Sequence, residues 1–287
     1  MPPRSLIVFT DLDGTLLDHH DYGFEPALPA LEALREARIP LVLTTSKTLA
    51  EARLLNQRLD NTQAVIVENG GAIAVPAAIS AQLFDGQPET VAGVVGIENI
   101  GDHLVLRSSP AYTAIREFIV RQRQEFDYHL TGFGDMSTDD ISHHTGLSSE
   151  DAARAAKRLC SEPFLWHDSE PRLQAFRQAA AHIGLGMTRG GRFWHLMGDT
   201  SKARAMQRLR AWMDHNREPS ITVALGDSDN DREMLEQADI AVCVRRHDGS
   251  VLDCSGRHQT LQTEHAGPTG WNGAILRILR DSVESDG

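Results

Sequence analysis

Short apolar runs alternate with polar, helix-spaced stretches along much of the chain. Leu6–Thr10 is an apolar run that stops abruptly at Asp11 and predicts a buried strand. Pro26–Arg38 has helical spacing, with Leu28, Leu31, Leu34 and Ala37 along one side. A strand over Pro40–Thr44, a helix over Leu49–Leu59 and a strand over Ala64–Val67 follow. The same alternation returns later, with a strand at Ile221–Leu225, a helix at Asp231–Gln237 and a strand at Ile240–Val244. Such alternation predicts an α/β domain built on a mostly parallel sheet. Ligands of such sheets sit beyond the carboxyl ends of the strands. Asp11, Thr45 and Asp227 each follow a predicted strand, so they collect on that edge.

The middle of the chain has a different pattern. Gly93–Gly96 and His103–Arg107 predict short strands, and Ala111–Glu125 and Ser149–Cys160 predict amphipathic helices. No strand there leads into a carboxylate of the same kind. Residues 85–189 therefore read as a domain inserted into a core made of residues 1–84 and 190–287. Asp281–Gly287 reads as a frayed end.

Composition narrows the partners. At 287 residues the chain can bury one large core or two moderate ones. A net charge of −12 argues against nucleic acid or an anionic membrane, both of which are polyanions. No run approaches the ~20 apolar residues that span a bilayer, and Ser5–Thr10 is too short for a signal-peptide core. The three cysteines, Cys160, Cys243 and Cys254, form no CxxC pair and predict free thiols in a reducing compartment. Cys243 sits in an apolar run and reads as buried. A cytoplasmic setting is the expectation.

Asp11 and Asp13 lie two apart on a chain leaving a strand, so both carboxylates can face one way. Gly14 permits a tight turn, and Thr15 supplies a hydroxyl and a backbone N–H. Two carboxylates that close repel unless a cation lies between them, and Mg²⁺ prefers oxygen ligands and phosphate. One carboxylate can attack phosphorus while the other protonates the leaving oxygen. Gly226-Asp227-Ser228-Asp229-Asn230-Asp231 presents further acids directly after a strand. Lys202 opens a predicted helix after Thr200 and Ser201. A lysine there runs against the helix dipole and implies anionic company. The pairs His19-His20 and His143-His144 have no Cys or carboxylate at zinc spacing and read as solvated surface.

Asp11-Leu12-Asp13-Gly14-Thr15, Thr45, Lys202 and Gly226–Asp231 occur in the order of the four signature motifs of the haloacid dehalogenase superfamily. The resemblance spans the whole core and implies a Rossmann-like parallel-sheet fold with an inserted α/β cap. It implies that Asp11 is the nucleophile, Asp13 the general acid/base and Lys202 the neutralising cation, with Thr45 on the phosphate. By the same matching, Asp11, the carbonyl of Asp13 and Asp227 would hold Mg²⁺, and Asp231 would support the metal or Lys202.

A narrower resemblance follows from Thr44-Thr45-Ser46-Lys47-Thr48, Glu68–Gly71, Gly132–Met136, Thr145–Leu147, Ser161–Pro163, Gly190–Phe193 and Gly267–Trp271. These segments are similar to those of mannosyl-3-phosphoglycerate phosphatases. The chain departs from that pattern at Thr200-Ser201-Lys202-Ala203, where relatives often have Asp-Lys-Gly, and at Asp229, where they often have proline. The implied reaction is hydrolysis of 2-O-mannosyl-3-phosphoglycerate, a substrate with a phosphate, a carboxylate and several hydroxyls, to mannosylglycerate and phosphate. The alternatives are a glucosyl-3-phosphoglycerate or other sugar-phosphate phosphatase, a phosphomutase and a non-catalytic sugar-phosphate-binding regulator. Ser46, Lys47 and Arg192 are candidate substrate contacts, Arg192 through its bidentate fork. Asp135 is a candidate acceptor for sugar hydroxyls, and the Gly190-Gly191 pair would let the backbone approach a ligand. Trp166, Trp194 and Trp271 read as packing residues.

Overall fold

The computed structural model describes residues 5–84, 93–190, 192–215 and 217–284, without the side chains of 283 and 284. The chain forms two compact units: one from the residues up to Thr45 together with those from Lys202 onward, the other from Ser46–Ser201. The first unit starts with β1 (Leu6–Thr10), α1 (Leu28–Glu36) and β2 (Leu41–Thr44). The second runs through α2 (Leu49–Arg58), β3 (Val65–Val67), β4 (Ala72–Pro76), α3 (Ala77–Phe84), β5 (Gly96–Ile100) and β6 (His103–Arg107). It continues through α4 (Tyr112–Phe126), β7 (Leu130–Gly132), α5 (Thr138–Thr145), α6 (Ser149–Ala155), β8 (Ser161–Trp166), α7 (Glu170–His182), β9 (Leu185–Gly190) and β10 (Phe193–Gly198). The first unit is completed by α8 (Lys202–Met213), β11 (Ile221–Gly226), α9 (Arg232–Gln237), β12 (Ile240–Arg245), β13 (Gln259–Ala266) and α10 (Gly267–Glu284).

Strands of the first unit stand in the order β13-β12-β11-β1-β2 and every pairing is parallel. All of β1 is buried, as its unbroken apolar run requires when a sheet is covered on both faces. In the β1–β11 register Thr10 pairs with Leu225, so the two strands end level. The Asp11 N–H extends the ladder by donating to the Leu225 carbonyl at 2.9 Å. Behind it, fully buried Trp271 of α10 donates its indole N–H to the Thr10 hydroxyl at 3.0 Å, and that hydroxyl donates to the Asp11 carbonyl at 2.8 Å. Trp271 thus packs, as its apolar ring predicts, and also tethers the strand end that carries Asp11.

The second unit holds the antiparallel run β3-β4-β6-β5 and a separate antiparallel sheet ordered β7-β8-β10-β9. Ile115, Phe118 and Ile119 of α4 and Phe176 of α7 pack with Phe164 and Leu196 of that sheet. Glu68, buried after β3, accepts from the N–H groups of Leu159 (2.6 Å) and Cys160 (3.0 Å) and from the Ser161 hydroxyl (2.7 Å). This capture ends the helix predicted over Ser149–Cys160 early, at Ala155, and turns the chain into β8. The sequence pattern gave no sign of β8, whose Pro163 interrupts the apolar run.

Other boundaries moved for local reasons. The helix predicted over Pro26–Arg38 begins with a 3-10 turn at Glu25–Ala27, and α1 buries Ala30, Leu31 and Leu34. Leu28 is 49% exposed, because it lies about 100° round the helix from Ala27, and Ala37 is exposed at the far end. The strand predicted at Gly93–Gly96 instead starts at Gly96, as β5 of a hairpin with β6. The helix α10 extends to Glu284, three residues past the start of the predicted fray at Asp281. Residues 285–287, position 85 and Gly191 lie outside the described residues. The cysteine expectation is corrected: Cys243 and Cys254 form a disulfide and only Cys160, buried, is free. The chain returns from β12 within 11 residues, so the pairing is local, and it removes the free-thiol argument for a reducing compartment.

Candidate active site

The carboxyl edge of the first unit's sheet is built by the ends of three neighbouring strands. Asp11 follows β1, Asp227 follows β11 and Thr45 follows β2. Leu12 is wholly buried and pins the chain between Asp11 and the half-buried Asp13. A tight turn follows, in which Thr15 N–H and Leu17 N–H both donate to the Leu12 carbonyl. Gly14 takes φ +78 in that turn, and a Cβ there would stand 3.0 Å from a carboxylate oxygen of Asp227. Glycine is therefore required twice, for its backbone angle and for the approach of Asp227.

Lys202, the first residue of α8, is 1% exposed and lies between two carboxylates. Its Nζ donates to Asp11 Oδ1 at 2.6 Å and to Asp231 Oδ1 at 2.7 Å. Asp231 is fully buried; its other oxygen accepts from the Ser228 N–H at 3.1 Å and the Ser228 hydroxyl at 3.0 Å. Asp231 is thereby a fixed anion that aims Lys202 at Asp11. Thr15 Oγ1 donates to Asp227 Oδ1 at 3.4 Å, and Arg246 Nε donates to the Asp227 carbonyl at 2.7 Å.

Carboxylates outnumber the buried lysine at this edge. Burial, then Asp231, with smaller pushes from Asp227 and Asp13, raises the Asp11 carboxyl to about 8 although Lys202 pulls it down. Burial and Asp231 raise Asp227 to about 6, against Lys202, Arg246 and Thr15. Burial disfavours the Lys202 charge, but Asp11 and Asp231 together outweigh it and raise its pKa. One lysine thus faces a crowd of buried carboxylates. Oxygens of Asp11, Asp227 and Asp231 lie within 4.8 Å of one another, a donor set and spacing that fit a hard divalent ion such as Mg²⁺.

Asp11, Asp13, Thr45, Lys202, Asp227 and Asp231 all belong to this unit, although Lys202 lies 191 residues beyond Asp11 in sequence. Ser46, Lys47 and Arg192 belong to the other unit. There the carbonyls of Ser46 and Lys47 accept from Arg158 (3.1 Å) and the Glu68 N–H (3.0 Å), and exposed Arg192 donates to the His144 carbonyl. Asp135 is not free for sugar hydroxyls as expected: Arg116 and Arg123 each hold it at 2.5 Å, and the Gly132 N–H at 2.8 Å. Ser228 and Arg246 escaped the sequence reading. The Ser228–Asp231 spacing was a usable sign, since a hydroxyl three residues before a carboxylate often closes such a turn. Arg246 had none, because only the β11–β12 pairing brings it near Asp227.

The haloacid dehalogenase-like hydrolase profile matches residues 8–87 and 175–264, spanning Asp11, Lys202 and Asp231. The chain belongs to the haloacid dehalogenase-like hydrolases. A protein of Methanococcoides burtonii is 36% identical over 95% of this chain and 97% of its own length, and one of Persephonella marina is 34% identical over 96% and 98%. Both relatives are named glucosyl-3-phosphoglycerate/mannosyl-3-phosphoglycerate phosphatase. Solved structures share the fold at low identity. A Thermoplasma acidophilum protein has a TM-score of 0.63 at 16% identity, covering 97% of this chain and 98% of its own. A sucrose-phosphatase of Synechocystis, in complex with sucrose and phosphate, has a TM-score of 0.59 at 15% identity, covering 96% and 98%. This haloacid dehalogenase-like hydrolase is a phosphoric monoester hydrolase. Phosphatases of the superfamily generally use Mg²⁺, which its aspartate cluster can hold. No helix among the described residues is long and apolar enough to cross a membrane.

Proposed function

We propose that the enzyme hydrolyses mannosyl-3-phosphoglycerate to mannosylglycerate and phosphate, through a phosphoryl group carried on Asp11. The observation that carries the chemistry is Lys202, buried and bonded at once to Asp11 and Asp231 at a strand end. The full-length relatives support the substrate class, and because their names join the glucosyl and mannosyl esters, the glucosyl ester is the second reading. The mannosyl ester is placed first on the Thr44–Thr48 segment and the other segments of the narrower resemblance.

In this reading an Asp11 carboxylate oxygen attacks phosphorus, and the bond from phosphorus to the glycerate oxygen breaks. Asp13 gives its proton to that leaving oxygen, then takes a proton from the water that attacks the phosphoryl group. Phosphate leaves and the Asp11 carboxylate is restored. Lys202 offsets charge between Asp11 and the phosphoryl oxygens throughout, and the Thr45 hydroxyl donates to one of them. Asp11, the Asp13 carbonyl and Asp227 would hold Mg²⁺, which would supply charge neutralisation for the phosphoryl group, with Asp231 as the supporting anion. In the second unit, the sheet β7-β8-β10-β9 and its helices, most of which fall within residues 85–189, act as the cap that selects the sugar, using Ser46, Lys47 and Arg192. An anionic substrate of this kind does not cross membranes unaided, so we place the reaction, and a role in making mannosylglycerate, in the cytoplasm.

Phosphate release should be measured across glycosyl-3-phosphoglycerates and hexose phosphates, with Mg²⁺ or with EDTA. Turnover is expected only with the metal and highest on the mannosyl ester. Preference for a simple hexose phosphate would overturn the substrate while leaving the phosphatase reading standing.

Metal should also appear in stability. The folded values of Asp11 and Asp227, about 8 and about 6, exceed the ordinary 3.8, so the metal-free folded state holds protons that the unfolded chain has released. These groups therefore cost stability as pH rises from about 4 to about 8, and a bound cation replaces the missing protons. Mg²⁺ at a hundredfold its dissociation constant should add about 2.7 kcal/mol. Calorimetry should find a larger Mg²⁺-induced rise in Tm at pH 8 than at pH 5. An equal or reversed effect would contradict the metal assignment.

A further inference from the structure

His19 and His20, separated from any zinc-like partner in sequence, meet a third imidazole in the fold. The loop after β1 carries them, and the loop after β12 carries His247. Ring centroids are 5.2 Å apart for His19–His20, 4.2 Å for His20–His247 and 6.4 Å for His19–His247. Zinc–nitrogen bonds of about 2.0–2.1 Å around a tetrahedral ion put imidazole centroids about 5 Å apart. The three rings are thus gathered near that spacing, with their nitrogens not yet converged within 4.8 Å of one another, and being exposed they can turn those nitrogens inward without repacking a core. Asp18 lies beside them. Its Oδ1 accepts from the backbone of His20 (2.8 Å) and Asp21 (3.4 Å), while Oδ2 takes no hydrogen bond among the described residues.

These groups line a cavity of about 280 Å³ together with Asp248, Arg246, Gly14 and Asp227. We infer that His19, His20 and His247, with Asp18 as fourth ligand, bind a borderline-soft divalent ion of the Zn²⁺ class beside the pocket that reaches Asp227. Imidazole donors select such ions over Mg²⁺, which keeps to oxygen, so this site and the aspartate cluster take different metals. Three carboxylates on the cavity wall, Asp18, Asp227 and Asp248, disfavour an anion as the occupant. A bound ion would tie the loop after β1, which carries the nucleophile's turn, to the loop after β12, whose Arg246 holds Asp227. The inference stands on histidine geometry and is independent of which ester the enzyme cleaves.

The test uses the tag-free full-length protein in excess Mg²⁺, with Zn²⁺ as titrant in a calorimeter. The wild type should bind one Zn²⁺, and His20→Gln or His247→Gln should weaken it at least tenfold with Tm in the metal-free state unchanged. His143→Gln, in the other exposed histidine pair, should leave affinity as it was. Imidazole proton resonances of His19, His20 and His247 should shift together on Zn²⁺ addition. Equal affinity in wild type and His247→Gln would overturn the inference and assign the zinc to the aspartates, which Asp227→Asn would then reveal; absence of Zn²⁺ binding would overturn it outright.

Discussion

Asp11→Asn is expected to lower turnover by on the order of 10⁴-fold or more, with the fold intact. The amide oxygen can still accept the Lys202 hydrogen bond seen at 2.6 Å, so geometry survives. What disappears is the anionic oxygen that attacks phosphorus. The substitution also removes a buried carboxylate crowded by Asp227, Asp231 and Asp13. Metal-free Asp11→Asn protein should therefore unfold at no lower temperature than wild type. Circular dichroism and single-turnover phosphate release check both halves. Residual activity within tenfold of wild type would refute Asp11 as nucleophile.

Lys202→Met should damage chemistry and stability together. Lys202 is 1% exposed and pairs with Asp11 and Asp231 at 2.6 and 2.7 Å. Removing one member of a buried ion pair costs roughly 3–5 kcal/mol, because the stranded charge stays out of water. Here two carboxylates are stranded. Melting temperature of the metal-free protein should fall by about 6–20 °C, at roughly 2–4 °C per kcal/mol for a chain of this size. Turnover should fall by about 10²–10³-fold, the range for loss of one pre-placed charge donor. Added Mg²⁺ should recover part of the stability and little of the turnover. An unchanged melting temperature would show that the buried pairing contributes nothing net.

The candidate site was unevenly legible in the sequence. Asp11, Asp13 and Gly14 stood out because a fully apolar strand ends at them, and Asp227 and Asp231 because an acidic turn continues another. Lys202 was readable mainly through its motif order; its place against the helix dipole hinted at anionic company, but a lysine at a helix start otherwise looks like surface until the carboxylates around it are known. Ser228, Arg246 and the Trp271–Thr10 tether were hidden for a common reason: each acts through a contact that sequence distance does not encode. Asp135 shows the opposite error. It looked available to a sugar, but Arg116 and Arg123 occupy it.

Local pattern also failed where a distant group intervened. Ser149–Cys160 has the periodicity of one long helix, but Glu68 takes the N–H groups of Leu159 and Cys160 and the chain turns into β8. Pairing of Cys243 with Cys254, and of His247 with His19 and His20, likewise depended on loops meeting in space.

By itself, the sequence determined the alternation of strands and helices, the parallel sheet and the carboxylates at its edge. Hydrophobic periodicity and strand-end position are short-range properties, and a few neighbouring residues suffice to express them. Only the tertiary structure decided how the charges are shared. Lys202, 191 residues from Asp11 in sequence, divides itself between Asp11 and Asp231, and the register of β1 on β11 brings Asp227 beside Gly14. Electrostatic balance depends on distance and burial, and both exist only once the sheet has closed.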